Sequence, residues 1–183
     1  MFTVLDDLLQ TLFPSYCRGC RKAIPTKTTL CLHCLSELPT TNFHLSNSNP
    51  LMKLLQQLTP ISYATSLFFF EQQGLVQQLI HQLKYMNGEQ LTKQLQVGYV
   101  PQNLIRHKST KTLVRLNTQQ RAGQIKDAFS LIDTSVFTGK HLLLVDDVVR
   151  TGTTLSEAAN CLLQIEDAQV SVATIAFAKS PLP

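Results

Sequence analysis

Residues 142–155 read L-L-L-V-D-D-V-V-R-T-G-T-T-L, and this stretch decides the fold. Residues 142–145 are four apolar residues in a row with no alternation, which predicts a strand buried on both faces of a parallel sheet. Asp146 and Asp147 then fall at its C-terminal end, where open α/β sheets bind their ligands. Residues 150–154 form a small, hydroxyl-rich loop around one glycine that is free to take a positive φ. A helix follows, with Leu155, Ala158, Ala159 and Leu162 on one face. The fold class is therefore α/β, with a βαβ unit near the C-terminus.

The chemistry follows from the geometry. A loop that opens a helix points unpaired N–H groups outward, and the helix dipole favours an anion there. Arg150, Thr151, Gly152, Thr153 and Thr154 are thus the expected phosphate-binding loop, with the threonines adding hydroxyl donors. Asp146 and Asp147 suit sugar hydroxyls, whose O–H groups they accept. A phosphate pocket beside two acceptors for a diol describes a ribose 5-phosphate site. The bland alternative is a strand-turn-helix with two solvated aspartates, and the agreement of strand, acid pair, Gly-Thr turn and amphipathic helix weighs against it. The chain has neither G-x4-G-K-[ST] nor G-x-G-x-x-G, so neither a P-loop nor a dinucleotide fingerprint competes.

The 183 residues, 44% of them hydrophobic, allow one good core with a small appendage. No apolar stretch approaches the roughly 20 residues of a membrane span. Acids follow the N-terminus where a signal peptide needs positive charge, so a cytoplasmic protein is the simplest expectation. The net charge of +4 is modest but uneven. No Asp or Glu occurs between Glu89 and Asp127, while Lys93, Arg106, Lys108, Lys111, Arg115, Arg121 and Lys126 do. This run is either a solvated basic surface or a face for an anionic partner. Tyr99 is its one aromatic residue, which argues against a stacking platform for bases.

Residues 2–13 show an amphipathic helical pattern that Pro14 stops. Next come Cys17-x2-Cys20 and Cys31-x2-Cys34, two knuckles with the spacing of a tetrahedral zinc site. Four thiolates leave no open position, so the zinc is expected to be structural. Disulfides suit a cytosolic chain poorly, and a redox dithiol does not explain two matched pairs. His33 reads as a neighbour of the site, not a ligand. Arg18, Arg21, Lys22 and Lys27 compensate the negative tetrathiolate. Cys161, at the flank of a helical stripe, reads as a packed thiol.

Residues 40–60 read as a linker, giving three expected parts: a helix and zinc module over 1–39, the linker, and an α/β domain over 61–183. Within the last, a strand is expected over 61–70, a turn over 71–74, a helix over 75–85 and a short helix over 89–96. Residues 97–112 show no convincing period, 113–129 are polar and basic, and 137–140 form a turn. The terminal βαβ unit is expected as strand 142–147, helix 154–165 and strand 170–177.

The segment D-D-V-V-R-T-G-T-T resembles the phosphoribosyl pyrophosphate (PRPP) motif of type I phosphoribosyltransferases. There the acids hold ribose hydroxyls and the Thr-Gly loop wraps the 5-phosphate. Asp146, Asp147, Thr151, Gly152, Thr153 and Thr154 match by position. Arg150 departs from the pattern, and it cannot take the proton-transfer role that an Asp plays there in some relatives. The order of further motifs is similar to the ComF family of competence proteins: Leu12-Phe13-Pro14, the cysteine knuckles, Leu38-Pro39, Ile80-His81, Lys84-Tyr85, Arg121, Ala128-Phe129 and the acid pair. The resemblance implies a type I phosphoribosyltransferase-like parallel sheet flanked by helices, reduced in size, behind a four-cysteine zinc module. It implies structural zinc, and Mg²⁺ entering with PRPP or another nucleotide phosphate. It also implies a role in single-stranded DNA uptake during natural transformation, with a DNA helicase of the ComFA type as partner.

One zone departs from the family. Only 27 residues separate Tyr85 from Leu113, and the family's P-V-P and R-G-F-N-Q segments are missing; Tyr99-Val100-Pro101 is at best a remnant. The sequence reads as internally shortened, with the ribose-phosphate half of the site intact and the pyrophosphate half lost. The expectation is a phosphate-binding accessory protein with weak or no transferase turnover and no assignable catalytic residue. The alternatives are an active transferase for an unknown base and a zinc-ribbon nucleic-acid binder.

Overall fold

The computed structural model describes residues 14–24, 28–83, 97–107 and 128–178. The expected helices over 2–13 and 89–96 and most of the basic run lie outside these residues. The centre is a three-stranded parallel sheet of β3 (Tyr63–Phe69), β6 (His141–Val149) and β7 (Gln169–Phe177), in the order β3-β7-β6. Tyr63 pairs with Ser171 and His141 with Gln169, which sets the register. The last strand is central because it is apolar almost throughout, and its Val170, Val172 and Ala176 are buried.

The described residues hold four α-helices, α1 (Leu32–Ser36) in the cysteine module and α2 (Pro50–Gln56), α3 (Leu75–Leu83) and α4 (Thr153–Leu162) packed on the sheet. Ala64, Val172 and Leu144 meet at one level across the three strands. They pack in one cluster with Leu51 and Leu55 of α2 and with Leu155, Ala159 and Leu162 of α4. A second cluster joins Val76 and Ile80 of α3 to Ala176, with Phe68 and Val148 beside them.

The helix α2 corrects the reading of residues 40–60 as a linker. Leu51 and Leu55 are fully buried, so this segment is part of the core. Asn49 builds the helix start. Its Oδ1 accepts from Met52 N–H at 2.9 Å, an N-cap, and Pro50 fits the first turn, where no amide partner is needed. Its Nδ2 donates to the carbonyls of Ala64 (2.8 Å), Ser46 (3.1 Å) and Phe43 (3.2 Å). One buried amide thereby fastens α2 to β3. The Asn-Pro pair gave the linker reading its force, because the same residues that punctuate loops also start helices.

The strand over 142–145 also needs correction. It is not buried on both faces: Leu143 is 50% exposed and Val145 59%. Among the described residues β6 pairs only with β7 and stands at the edge of the described sheet. It also runs past the expected end at 147 to Val149, so Asp146 and Asp147 lie inside the strand and not at its end. Pairing lapses at one level, where Leu67, Ile175 and Asp147 would meet. Around this level alternation is interrupted: Val172 and Phe177, five positions apart on β7, pack in the same cluster.

Residues 97–112, which show no period in the sequence, hold the short strand β4 (Leu104–Arg106). It pairs antiparallel with β5 (Phe129–Leu131) and does not join the parallel sheet. This ribbon lies on α4, with Cys161 Sγ donating to Phe129 O at 3.6 Å, the packed thiol expected. The remaining strands, β1 (Ser15–Tyr16) and β2 (Ala23–Ile24), form a small antiparallel ribbon in the cysteine module.

Asn49→Ala is expected to destabilise the protein by about 2–4 kcal/mol, since it removes a helix cap and leaves buried carbonyls unpaired. Asn49→Asp keeps the cap acceptor but loses the donors, so it should recover only part of the loss in urea unfolding. Equal stability of Asn49→Asp and wild type would refute this account.

Candidate functional site

The loop 150–154 turns from β6 into α4. Gly152 is the N-cap at φ 74, ψ −7, a left-handed conformation that glycine adopts freely. It is also buried against α2. A Cβ built there would lie 2.8 Å from Leu55 Cδ2, so glycine is required both by conformation and by contact. No side chain caps the helix, and its first backbone bond is Ser156 N–H to Gly152 O at 2.8 Å. The amides of Thr153, Thr154 and Leu155 are therefore free of intrahelical partners, as a helix N-terminus dictates. Thr151 and Thr153 are exposed, and their hydroxyls lie 3.1 Å apart. Hydroxyls, amides and dipole meet at one place suited to an oxyanion.

Asp146 and Asp147 lie on β6 just before the loop, both partly buried. Asp146 Oδ1 accepts from Asp147 N–H at 2.9 Å, and Asp147 Oδ1 accepts from Val148 N–H at 2.7 Å. Each carboxylate thus has one oxygen tied to the backbone, which fixes its direction. Burial pushes the Asp146 carboxyl above the ordinary carboxylate value. The bond from Asp147 N–H opposes that shift, the charge of Asp147 adds to it, and the positive charge of Arg106 opposes it again. Ser66, Thr174 and Asp146 share one level across the sheet. Thr174 is buried, and its Oγ1 finds no hydrogen-bond partner among the described residues.

Two of these neighbours escape sequence reasoning. Arg106 lies in the basic run, yet only the β4–β5 ribbon brings its charge to the acid pair. Thr174 lies in an apolar strand, and only the register sets it beside Asp146. Arg150 is exposed at the rim of the loop.

The four cysteines converge as their spacing predicts. The sulfurs of Cys17, Cys20, Cys31 and Cys34 all lie within 4.8 Å of one another, and Cys20 and Cys31 are 3.7 Å apart. A tetrahedron with metal–sulfur bonds of about 2.3 Å has edges of about 3.8 Å, so the set fits a single ion. His33 is not among the converging groups. Backbone N–H groups of Cys20 and then Cys31 lower the Cys17 thiol to about 6, and Cys31 N–H lies 3.3 Å from that sulfur. Burial, with the neighbouring sulfurs, pushes Cys34 up to about 12. Four close sulfurs cannot all ionise unaided, and a cation among them removes the conflict. Gly19 lets the knuckle approach α3: a Cβ there would lie 2.7 Å from Leu75 Cδ1 and 2.9 Å from Cys34 Sγ. No described helix is long and apolar enough to cross a membrane.

Residues 75–182 match the phosphoribosyl transferase domain family. That interval holds the acid pair, the loop 150–154, α3, α4 and the last two strands of the sheet. The chain is also similar to Competence protein F of Haemophilus influenzae, at 26% identity over 201 aligned positions covering 84% of this chain and 87% of that protein. The alignment is longer than the 183-residue chain itself, so the relative has segments with no counterpart here. No solved structure matches the chain. By the span of the domain match, the chain belongs to the phosphoribosyl transferase domain family, and within it is similar to Competence protein F.

Proposed function

We propose that this protein binds PRPP or a related nucleotide phosphate at loop 150–154 and acts as an accessory protein in competence. The observation that carries the reading is the uncapped start of α4 at Gly152, beside a strand that bears two directed carboxylates. The 5-phosphate sits on the amides and hydroxyls of Thr151, Thr153 and Thr154, and Asp146 and Asp147 accept from the ribose hydroxyls. Arg150 flanks the phosphate at the rim. Mg²⁺ enters with the pyrophosphate. The similarity to Competence protein F supports the cellular role. Within that role we place the protein in the cytoplasm, in the handling of incoming single-stranded DNA beside a ComFA-type helicase.

Binding and turnover make different demands. Transfer from PRPP needs the leaving pyrophosphate held while the C1 bond breaks, which depends on positioned charge on both sides of the sugar. The described part of the sheet supplies one side. The reading is therefore a binder with weak or no transferase activity, and zinc in the four-sulfur cluster serves structure.

Calorimetric titration with Mg²⁺–PRPP is expected to show binding by wild type and a loss of at least about tenfold in Asp146→Asn/Asp147→Asn, the equivalent of 1.4 kcal/mol or more. Equal binding by both proteins, or by neither, would refute the site.

Asp146 also predicts a pH effect of definite sign. Its folded pKa is raised, so the folded state binds the proton more readily than the unfolded chain, and stability falls as pH rises from the ordinary carboxylate value through the raised one. Asp146→Asn should therefore melt higher than wild type at neutral pH, with the gap closing in acid. A lower melting temperature for Asp146→Asn at pH 7 would contradict this.

Elemental analysis should find one zinc per chain. Cys34→Ser should lower the content well below one and reduce the melting temperature, because metal binding and ordering of the module are linked.

A further inference from the structure

Three polar side chains stand at one level across the sheet: Ser66 on β3, Thr174 on β7 and Asp146 on β6. Paired residues of neighbouring parallel strands carry their side chains on the same face, about 4.8 Å apart. Two positions earlier, Ala64, Val172 and Leu144 mark that face as the one packed against α2 and α4. Thr174 is therefore the inner neighbour of Asp146. We infer that Thr174 is a positioning residue for Asp146: when a ribose hydroxyl donates to this carboxylate, the Thr174 hydroxyl turns and donates to it from behind. The inference deepens the function proposed above and rests on it.

The hydroxyl is out of place as packing. Thr174 is 3% exposed, and its Oγ1 has no hydrogen-bond partner among the described residues. A buried hydroxyl left unpaired costs free energy. Valine has nearly the same shape without that cost, and β7 uses it at Val170 and Val172. Ser66 does not answer the hydroxyl, for its Oγ donates to Phe68 O at 3.4 Å. Thr65 Oγ1 is also without a partner, but Thr65 pairs with Ala173 and so lies on the opposite face. Of the two, Thr174 alone stands beside a carboxylate.

Asp146 can accept the extra bond. One of its oxygens takes Asp147 N–H at 2.9 Å. An ionised carboxylate offers about four acceptor positions, so a backbone N–H, a ligand O–H and the threonine O–H can bind together. Rotation about χ1 is the only movement Thr174 needs. A hydrogen bond to an ionised group is of the stronger kind, and more so where water is partly excluded. The free protein carries the cost of the unpaired hydroxyl, and the complex recovers it. A competing reading is that a buried water serves the hydroxyl, or that threonine merely fills the strand. Both tie Thr174 to the stability of the free protein, whereas the positioning role ties it to affinity.

The test is calorimetric titration of Mg²⁺–PRPP into the full-length protein and its Thr174→Val and Thr174→Ser variants, with the melting temperature of each measured without ligand. Thr174→Val removes an unpaired buried hydroxyl, so it should melt no lower than wild type, yet bind about tenfold more weakly. Thr174→Ser loses a buried methyl group and should melt lower, yet recover most of the affinity. Stability and affinity then move in opposite directions, which a packing role cannot produce. In an Asp146→Ala background, Thr174→Val should cost little further affinity, because the group it acts through is gone. Equal affinity of Thr174→Val and wild type overturns this inference and leaves the ribose site standing, whereas absence of binding by wild type removes both. A clearly lower melting temperature for Thr174→Val overturns it as well, and so does an affinity loss undiminished in the Asp146→Ala background.

Discussion

The contact between Gly152 and Leu55 holds the functional end of the molecule together. A phosphate loop must turn sharply, keep its amides outward and still be held from behind. Here the turn is made at a positive φ, and the support is the apolar face of α2, close enough that even a methyl group would collide. The support is itself anchored. Asn49 caps α2 and holds it to Ala64 of β3, β3 pairs with β7, and β7 pairs with the strand that carries the acids. Loop and acids are thus connected twice, once through the chain and once through the core. That double connection fixes the loop 150–154 relative to the two carboxylates, as the proposed site requires.

The acids show what a sheet end can do that a surface cannot. On an exposed loop, two adjacent aspartates would be hydrated and free to rotate. On β6 each is tied by one oxygen to the next amide, and Asp146 is partly removed from water. Fixed direction and reduced hydration both favour a bound hydroxyl over bulk solvent. The cost falls on stability at neutral pH, offset in part by the charge of Arg106. If Asp146 holds a ribose hydroxyl as proposed, function and stability pull in opposite directions at one residue.

The sequence carried the local features well and the non-local ones poorly. The β6–loop–α4–β7 unit was legible because each part has its own signature: apolar run, acid pair, Gly-Thr turn, amphipathic stripe. The metal cluster was legible because ligand spacing is itself the geometry. Burial of β6 on both faces was misjudged, since an apolar run reports what a strand could cover and not which neighbours are there to cover it; no described element covers Leu143 and Val145. The segment 40–60 was misjudged because the Asn-Pro that opens α2 has the same composition as a loop. Arg106 and Thr174 were invisible as site neighbours, for they reach Asp146 only through pairing between strands distant in sequence.

The cysteine module follows a different logic from the rest. Its strands are two residues long and its helix five, too short to be stable as isolated elements. Its interior consists largely of the sulfurs themselves, with Cys17 and Cys34 buried. Order in such a segment would come from an ion shared by the four sulfurs, because among the described residues no apolar core of the module is large enough to replace it. Yet the module also leans on α3 through Gly19 and Leu75, and α3 packs on the parallel sheet through Val76 and Ile80. A metal held by the four sulfurs would therefore order more than its own ligands. It would fix the knuckle that rests on α3, and through α3 it would tie the module to the α/β core.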